Sequence, residues 1–122
     1  LLIGPVYAIP RALKAAGLTW EQIDLIEIHE AFAGQVLATI RAIESDTFAK
    51  EKLGLPQAIG KVDMNKVNPH GGSIPLGHPF GATGGRMILQ ALYGLKVLHK
   101  KTALISICAA GGLGQVMIVE SP

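Results

Sequence analysis

Short apolar runs of strand length alternate along this chain with stretches of helical periodicity, and that alternation leaves few architectures open. Val6, Ile9, Leu13 and Ala16 recur at helical spacing, and Gly17 reads as the C-terminal stop. Thr19, with Gln22 three residues on, has the form of a capping box. Asp24–His29 reads as a short buried strand through Leu25, Ile26 and Ile28. Ala31–Ile43 returns to helical spacing. Residues 44–65 are irregular and more polar, with a short helical piece at Asp46–Leu53, and read as a mobile excursion. Val67-Asn68 is a candidate for a very short strand. A long helix is expected from about Thr83 to His99, then a buried strand at Thr102–Ile107, a tight loop over 108–114 and a last strand at Gln115–Glu120. The short connection between the last two strands implies antiparallel pairing. The expected fold is therefore α/β, with a mixed, mostly parallel sheet and helices packed on it.

Composition agrees with one packed domain over residues 1–122. Hydrophobic residues make up 49% of the chain and charged residues only 16%, which excludes disorder. A net charge of +2, with no basic cluster larger than Lys100-Lys101, gives nucleic-acid binding no support. No apolar run approaches the ~20 residues that cross a bilayer. The single cysteine, Cys108, rules out an internal disulfide and fits a reducing compartment. A strand is expected ahead of the first helix in such a pattern, and the residues before Gly4-Pro5 leave no room for one. The sequence is accordingly read as a fragment of a larger two-domain chain, lacking the first strand of its sheet.

The reactive side chains fall where strands end. His29-Glu30 closes the first strand, Gly77-His78-Pro79 lies in a stretch with six glycines among residues 71–85, and Cys108 leads into a second glycine-rich turn. Ligands of open α/β sheets bind outside the carboxyl ends of the strands, so these three places are expected to converge. Glycine lets backbone N–H groups approach a ligand, and a helix N-terminus favours negative charge. The turn Ala109-Ala110-Gly111-Gly112 offers donors to an oxyanion. Beside such donors, Cys108 is expected to have a lowered pKa and to act as nucleophile or base. His78 is a candidate to activate a thiol or to bind a carbonyl oxygen, and His29 is a candidate second donor. Each also has a plain structural reading: a small buried hydrophobe for Cys108, a loop residue for His78, and a structural hydrogen-bond acceptor for Glu30. His70 and His99 read as loop or surface residues. No familiar spacing among His29, His70, His78 and Cys108 marks a metal site.

Three strings taken together, HEAFA at 29–33, GGSIPLGHPFGATGGR at 71–86 and CAAGGLG at 108–114, resemble the signature loops of thiolases in order and spacing. IGPVYAIPRALKAAG at 3–17 is similar to the first helix of the thiolase C-terminal domain, so the resemblance spans nearly the whole chain. HEAF, where many thiolases have Asn-Glu-Ala-Phe, most resembles the β-subunit of the fatty-acid oxidation trifunctional complex and its bacterial relatives. The resemblance implies thiolytic cleavage of 3-ketoacyl-CoA through an acyl-cysteine, with coenzyme A as substrate and no further cofactor. It implies that the nucleophilic cysteine lies in an N-terminal half, that Cys108 is the acid/base on the acetyl methyl carbon, and that His78 activates the nucleophile and serves an oxyanion hole. His29 stands where the family has the Asn that holds a water in that hole. Ala110 matches the backbone donor of a second hole, and Ala31 and Phe32 match residues beside the pantetheine and acyl chain. Implied partners are acyl-CoA and CoA, the N-terminal half, a second copy in a homodimer, and a hydratase/dehydrogenase subunit. The implied location is the mitochondrial matrix or the bacterial cytoplasm. Two departures stand out: an imidazole at 29 is larger than an amide and can titrate, and Ala110 replaces a more usual Gly. The other readings are a ketoacyl-synthase-type condensing enzyme, disfavoured by the joint presence of Gly-His-Pro and a second cysteine loop, and a non-catalytic scaffold or dimerisation module.

Overall fold

Alternation of side chains across β1, Leu25–Ile28, sorts the core into two halves, one on each face of the sheet. The computed structural model describes residues 2–121. Ile26 and Ile28 pack with Leu104 against Val6, Ile9 and Leu13 of helix α1 (Gly4–Ala16) and against Ala42 and Ile43 of helix α2 (Ala33–Ile43). Leu25, Ala103 and Ile105 pack on the other face against Met87, Ala91 and Leu95 of helix α5 (Phe80–Val97). A three-stranded sheet thus lies between two helical layers.

Strand order is β1-β2-β3, with β2 spanning Thr102–Ala109 and β3 Leu113–Glu120. β1 runs parallel to β2, with Ile28 opposite Ser106, and β2 pairs antiparallel with β3, with Cys108 opposite Gly114. The expected short strand at Val67 is a single parallel bridge to Ile26. α1 ends as its sequence predicts: Gly17 adopts φ +67°, and the N–H groups of Gly17 and Leu18 reach the carbonyls of Lys14 and Leu13. Gln22 reaches back to the Thr19 N–H at 2.8 Å, the reciprocal half of a capping box.

Three local expectations change. α5 begins at Phe80, a turn earlier than the glycines suggest, because the Ala82 and Thr83 amides both bond to the Pro79 carbonyl. A short helix, α4 (Ser73–Leu76), forms inside the glycine-rich stretch. Residues 44–65 are not a free excursion. After α3 (Asp46–Phe48) and one π-helical turn at Ala49–Leu53, the chain is tied back at four places. The Trp20 indole donates to the Lys61 carbonyl at 2.6 Å, Ile59 N–H to Ile43 O at 3.0 Å, Ala58 N–H to Asp46 at 2.7 Å, and Val62 N–H to Glu44 at 2.9 Å. On the outer side of α5, Leu89 and Tyr93 remain 69% and 65% exposed, an apolar face that nothing in the described chain covers.

Candidate active site

The carboxyl end of β1 is extended by one more ladder bond, His29 N–H to Ser106 O at 2.8 Å, before the chain turns away. Asn68 closes the other edge. Its amide oxygen accepts from Ile28 N–H at 2.8 Å, and its NH2 donates to Ile28 O at 2.9 Å and to Glu30 Oε1 at 2.8 Å. Asn68 does this with φ +45°, a left-handed conformation that Asn tolerates better than most residues. The second oxygen of Glu30 accepts from Ile74 N–H at 2.9 Å. The Glu30 carboxylate therefore binds the glycine-rich segment to the strand end and acts as a structural acceptor. It occupies the space a Cβ on residue 72 would need, which is why Gly72 stands there.

That tie brings two imidazoles together. The rings of His29 and His78 lie 4.2 Å apart, centre to centre, tilted by 46°. His29 is buried, and its Nδ1 is 2.8 Å from Ser73 Oγ. Arg86 donates to the same hydroxyl at 2.9 Å and to Gln90 at 2.9 Å, and Gln90 donates to the Gly71 carbonyl at 2.7 Å. Burial is the main force lowering the His29 pKa; the nearby His78 and Arg86 act the same way, and Glu30 acts against them. His29 is thus neutral at physiological pH. His78 is exposed, stacks on Phe80 at 4.7 Å, and has Nδ1 2.7 Å from Thr83 Oγ1. The Thr83 hydroxyl in turn reaches the Pro79 carbonyl at 3.1 Å. Since that carbonyl can only accept, Thr83 donates to it and accepts the His78 Nδ1–H, leaving Nε2 of His78 as the basic nitrogen.

Cys108 sits on β2, next to the strand that carries His29 and two residues past Ser106. It is buried, and burial pushes its thiol pKa up. This corrects the expectation of a lowered pKa: the strand end is closed over the sulfur, and desolvation of a thiolate outweighs nearby backbone donors. Neither imidazole uses its Nδ1 on Cys108; both use it on a hydroxyl. The expected tight loop over 108–114 also contracts. Cys108 and Ala109 are strand residues, and the turn is only residues 110–112, with positive φ at Gly111 and Gly112. Ala110 lies exposed in that turn. Ala31 and Phe32 form the entry to α2, where their N–H groups share the Gln35 side-chain oxygen at 3.1 and 3.4 Å. Phe32 is 66% exposed.

Sequence reasoning did not single out Ser73, Thr83, Arg86 or Asn68. Thr83 carried a signal, since five residues separate it from His78 across a helix start. The other three reach their partners through the fold alone.

Residues 1–121 match the family model described as Thiolase, C-terminal domain. A 3-ketoacyl-CoA thiolase of Yersinia pestis (strain Pestoides F) is 56% identical over 120 residues, covering 98% of this chain and 28% of the relative. The structure superposes on human mitochondrial 3-ketoacyl-CoA thiolase with a TM-score of 0.81 at 39% identity, over 98% of this chain and 26% of that one. It superposes on the Bacillus anthracis acetyl-CoA acetyltransferase with a TM-score of 0.78 at 35% identity, again over 98% of this chain and 26% of that one. The chain thus spans little more than a quarter of the length of the proteins it matches.

Proposed function

Because this chain belongs to the thiolase family, as its C-terminal domain, we propose that it supplies the acid/base and oxyanion-binding half of a site that cleaves 3-ketoacyl-CoA with coenzyme A. The observation that carries the reading is the pairing of His29 and His78, 4.2 Å apart at the carboxyl end of β1, beside the strand that carries Cys108 near its end.

Each group has a task its surroundings suit. His78, with Nδ1–H given to Thr83, presents Nε2 as a base that takes the proton of an attacking thiol and returns it to the leaving group. Neutral His29 is a donor for the thioester oxygen as negative charge develops there. Cys108, kept protonated by burial, is an acid that delivers its proton to the acetyl methyl carbanion as the carbon–carbon bond breaks. The amide of Ala110 is a second oxyanion donor, and Ala31 with exposed Phe32 borders the acyl-pantetheine path. The one cysteine of these residues is committed to the acid/base role, so on this reading the cysteine that carries the acyl group lies in the N-terminal half of the enzyme. Coenzyme A enters as substrate, with no further cofactor. The apolar outer face of α5 supports association with more protein. On this reading the associates are the nucleophile-bearing half, a second copy, and a hydratase/dehydrogenase subunit, in the mitochondrial matrix or the bacterial cytoplasm.

Replacing Cys108 by Ala in the assembled enzyme tests the assignment. Exchange of label into the acetyl methyl group should disappear while acylation of the nucleophile by acyl-CoA largely remains. Condensation at the parent rate in Cys108→Ala would sink the role given to Cys108.

A further inference from the structure

The two imidazoles are held by hydroxyls with different surroundings, and the difference fixes where each proton sits. Thr83 has a carbonyl to donate to, so it accepts from His78. Ser73 has no such outlet. Arg86 Nη2, 2.9 Å from Ser73 Oγ, can only donate, so it uses one lone pair of that oxygen. Among the described residues, the one acceptor within hydrogen-bonding distance of the buried Ser73 hydroxyl is His29 Nδ1, at 2.8 Å. If His29 carried its proton on Nδ1, the Ser73 hydrogen would be buried with nothing to receive it. With the proton on Nε2 every group is matched: Arg86 donates to Ser73, Ser73 donates to His29 Nδ1, and His29 keeps Nε2–H free to donate.

We infer that Ser73, clamped by Arg86, is a positioning residue that fixes His29 in the Nε2–H tautomer, so that His29 can only donate where His78 can only accept. The inference deepens the thiolase reading of His29 and rests on it. Two chemically identical rings 4.2 Å apart are thereby given opposite roles, oxyanion donor and base. Arg86 also holds Gln90, which holds the Gly71 carbonyl, so the clamp is anchored on α5 and on the glycine-rich segment together. Burial, which keeps His29 neutral, supports the same picture, because an imidazolium would donate from both nitrogens and reverse the Ser73 bond.

The test is proton-detected imidazole nitrogen spectroscopy on the assembled enzyme carrying 15N-histidine, with each ring assigned by His29→Gln and His78→Gln. The expected spectrum has the protonated nitrogen at Nε2 in His29 and at Nδ1 in His78. Protonation of His29 at Nδ1 overturns the inference, and this readout needs no altered Ser73. Ser73→Ala should mix the His29 tautomers and lower kcat on the order of 100-fold with KM little changed, and Ser73→Thr, which keeps the hydroxyl, should restore both. An unchanged kcat in Ser73→Ala also overturns it. An enzyme with the derived tautomers but no thiolysis would uphold this inference and defeat the proposed function instead.

Discussion

Glu27 is a fully buried carboxylate in β1 whose two oxygens have no hydrogen-bond partner among the described residues. Burial raises its pKa to about 7; Arg86 opposes the rise and Glu30 adds to it. A folded-state pKa above the unfolded value means the fold prefers the protonated acid. Its stabilisation is complete below about pH 4.5 and is lost as pH climbs through about 7. Glu27→Gln should remove that loss. From about pH 5 to 8 the variant should lose the fall in stability that Glu27 gives the parent, so the two proteins' stabilities in urea diverge with rising pH, with a difference reaching about 3 kcal/mol. Parallel curves for the two proteins would show that the carboxyl is ionised in the fold throughout. His29 pulls the other way: its depressed pKa gives stability that is present above the usual imidazole range and is lost as pH falls through the folded value. Thr83 holds the imidazole proposed as the base, that of His78. Thr83→Val keeps the shape but removes the acceptor of His78 Nδ1–H, and steady-state kinetics should show kcat reduced roughly 100-fold. The chemistry available at 29, 78 and 108 is legible in the residue types alone. The sign of the Cys108 shift is not, because neighbours in sequence do not reveal how closely a strand end is covered.

At the scale of elements, sequence reading works where local rules decide. Gly17 ends α1 and the short link between β2 and β3 makes a hairpin, each from chemistry within a few residues. It falls short where packing decides. Gly81 reads as loop, yet it lies in α5, because the helix is held by the face that buries Met87, Ala91 and Leu95 on the sheet. Pro75 between glycines hides α4 in the same way. The segment after α3 looks free because its anchors are distant: Trp20 lies 41 residues from Lys61. Trp20→Phe keeps the buried ring and deletes that bond, leaving the Lys61 carbonyl unpaired. Chemical denaturation followed by circular dichroism should show a loss of about 1–3 kcal/mol, and limited proteolysis should cut first within residues 54–63. Cleavage elsewhere would mean that the other three ties suffice.

The whole molecule is a layered sandwich whose reactive groups collect at one end of the sheet, the His29–His78 pair at the end of β1 and Cys108 near the end of β2. On the far side of the hairpin, the first turn of α1 presses against its stem. A Cβ on Gly4 would overlap the Gly112 and Leu113 backbone, and one on Gly114 would overlap Gly4 and Pro5. Gly114→Ala should therefore lower thermal stability by about 1–3 kcal/mol and make Cys108, its partner across the hairpin, react faster with a thiol reagent. An unchanged labelling rate would mean that the strand gives without uncovering the sulfur. Main chain resting on main chain has a consequence in time as well as in energy. With no side chain between them to rotate aside, the hairpin tip can open only when the start of α1 lifts with it. Deuterium should then enter the hydrogen-bonded amides of residues 6–9 and of the strands flanking the turn at a single shared rate, and the Cys108 thiol would be uncovered on the clock of a helix at the opposite side of the sheet from α5.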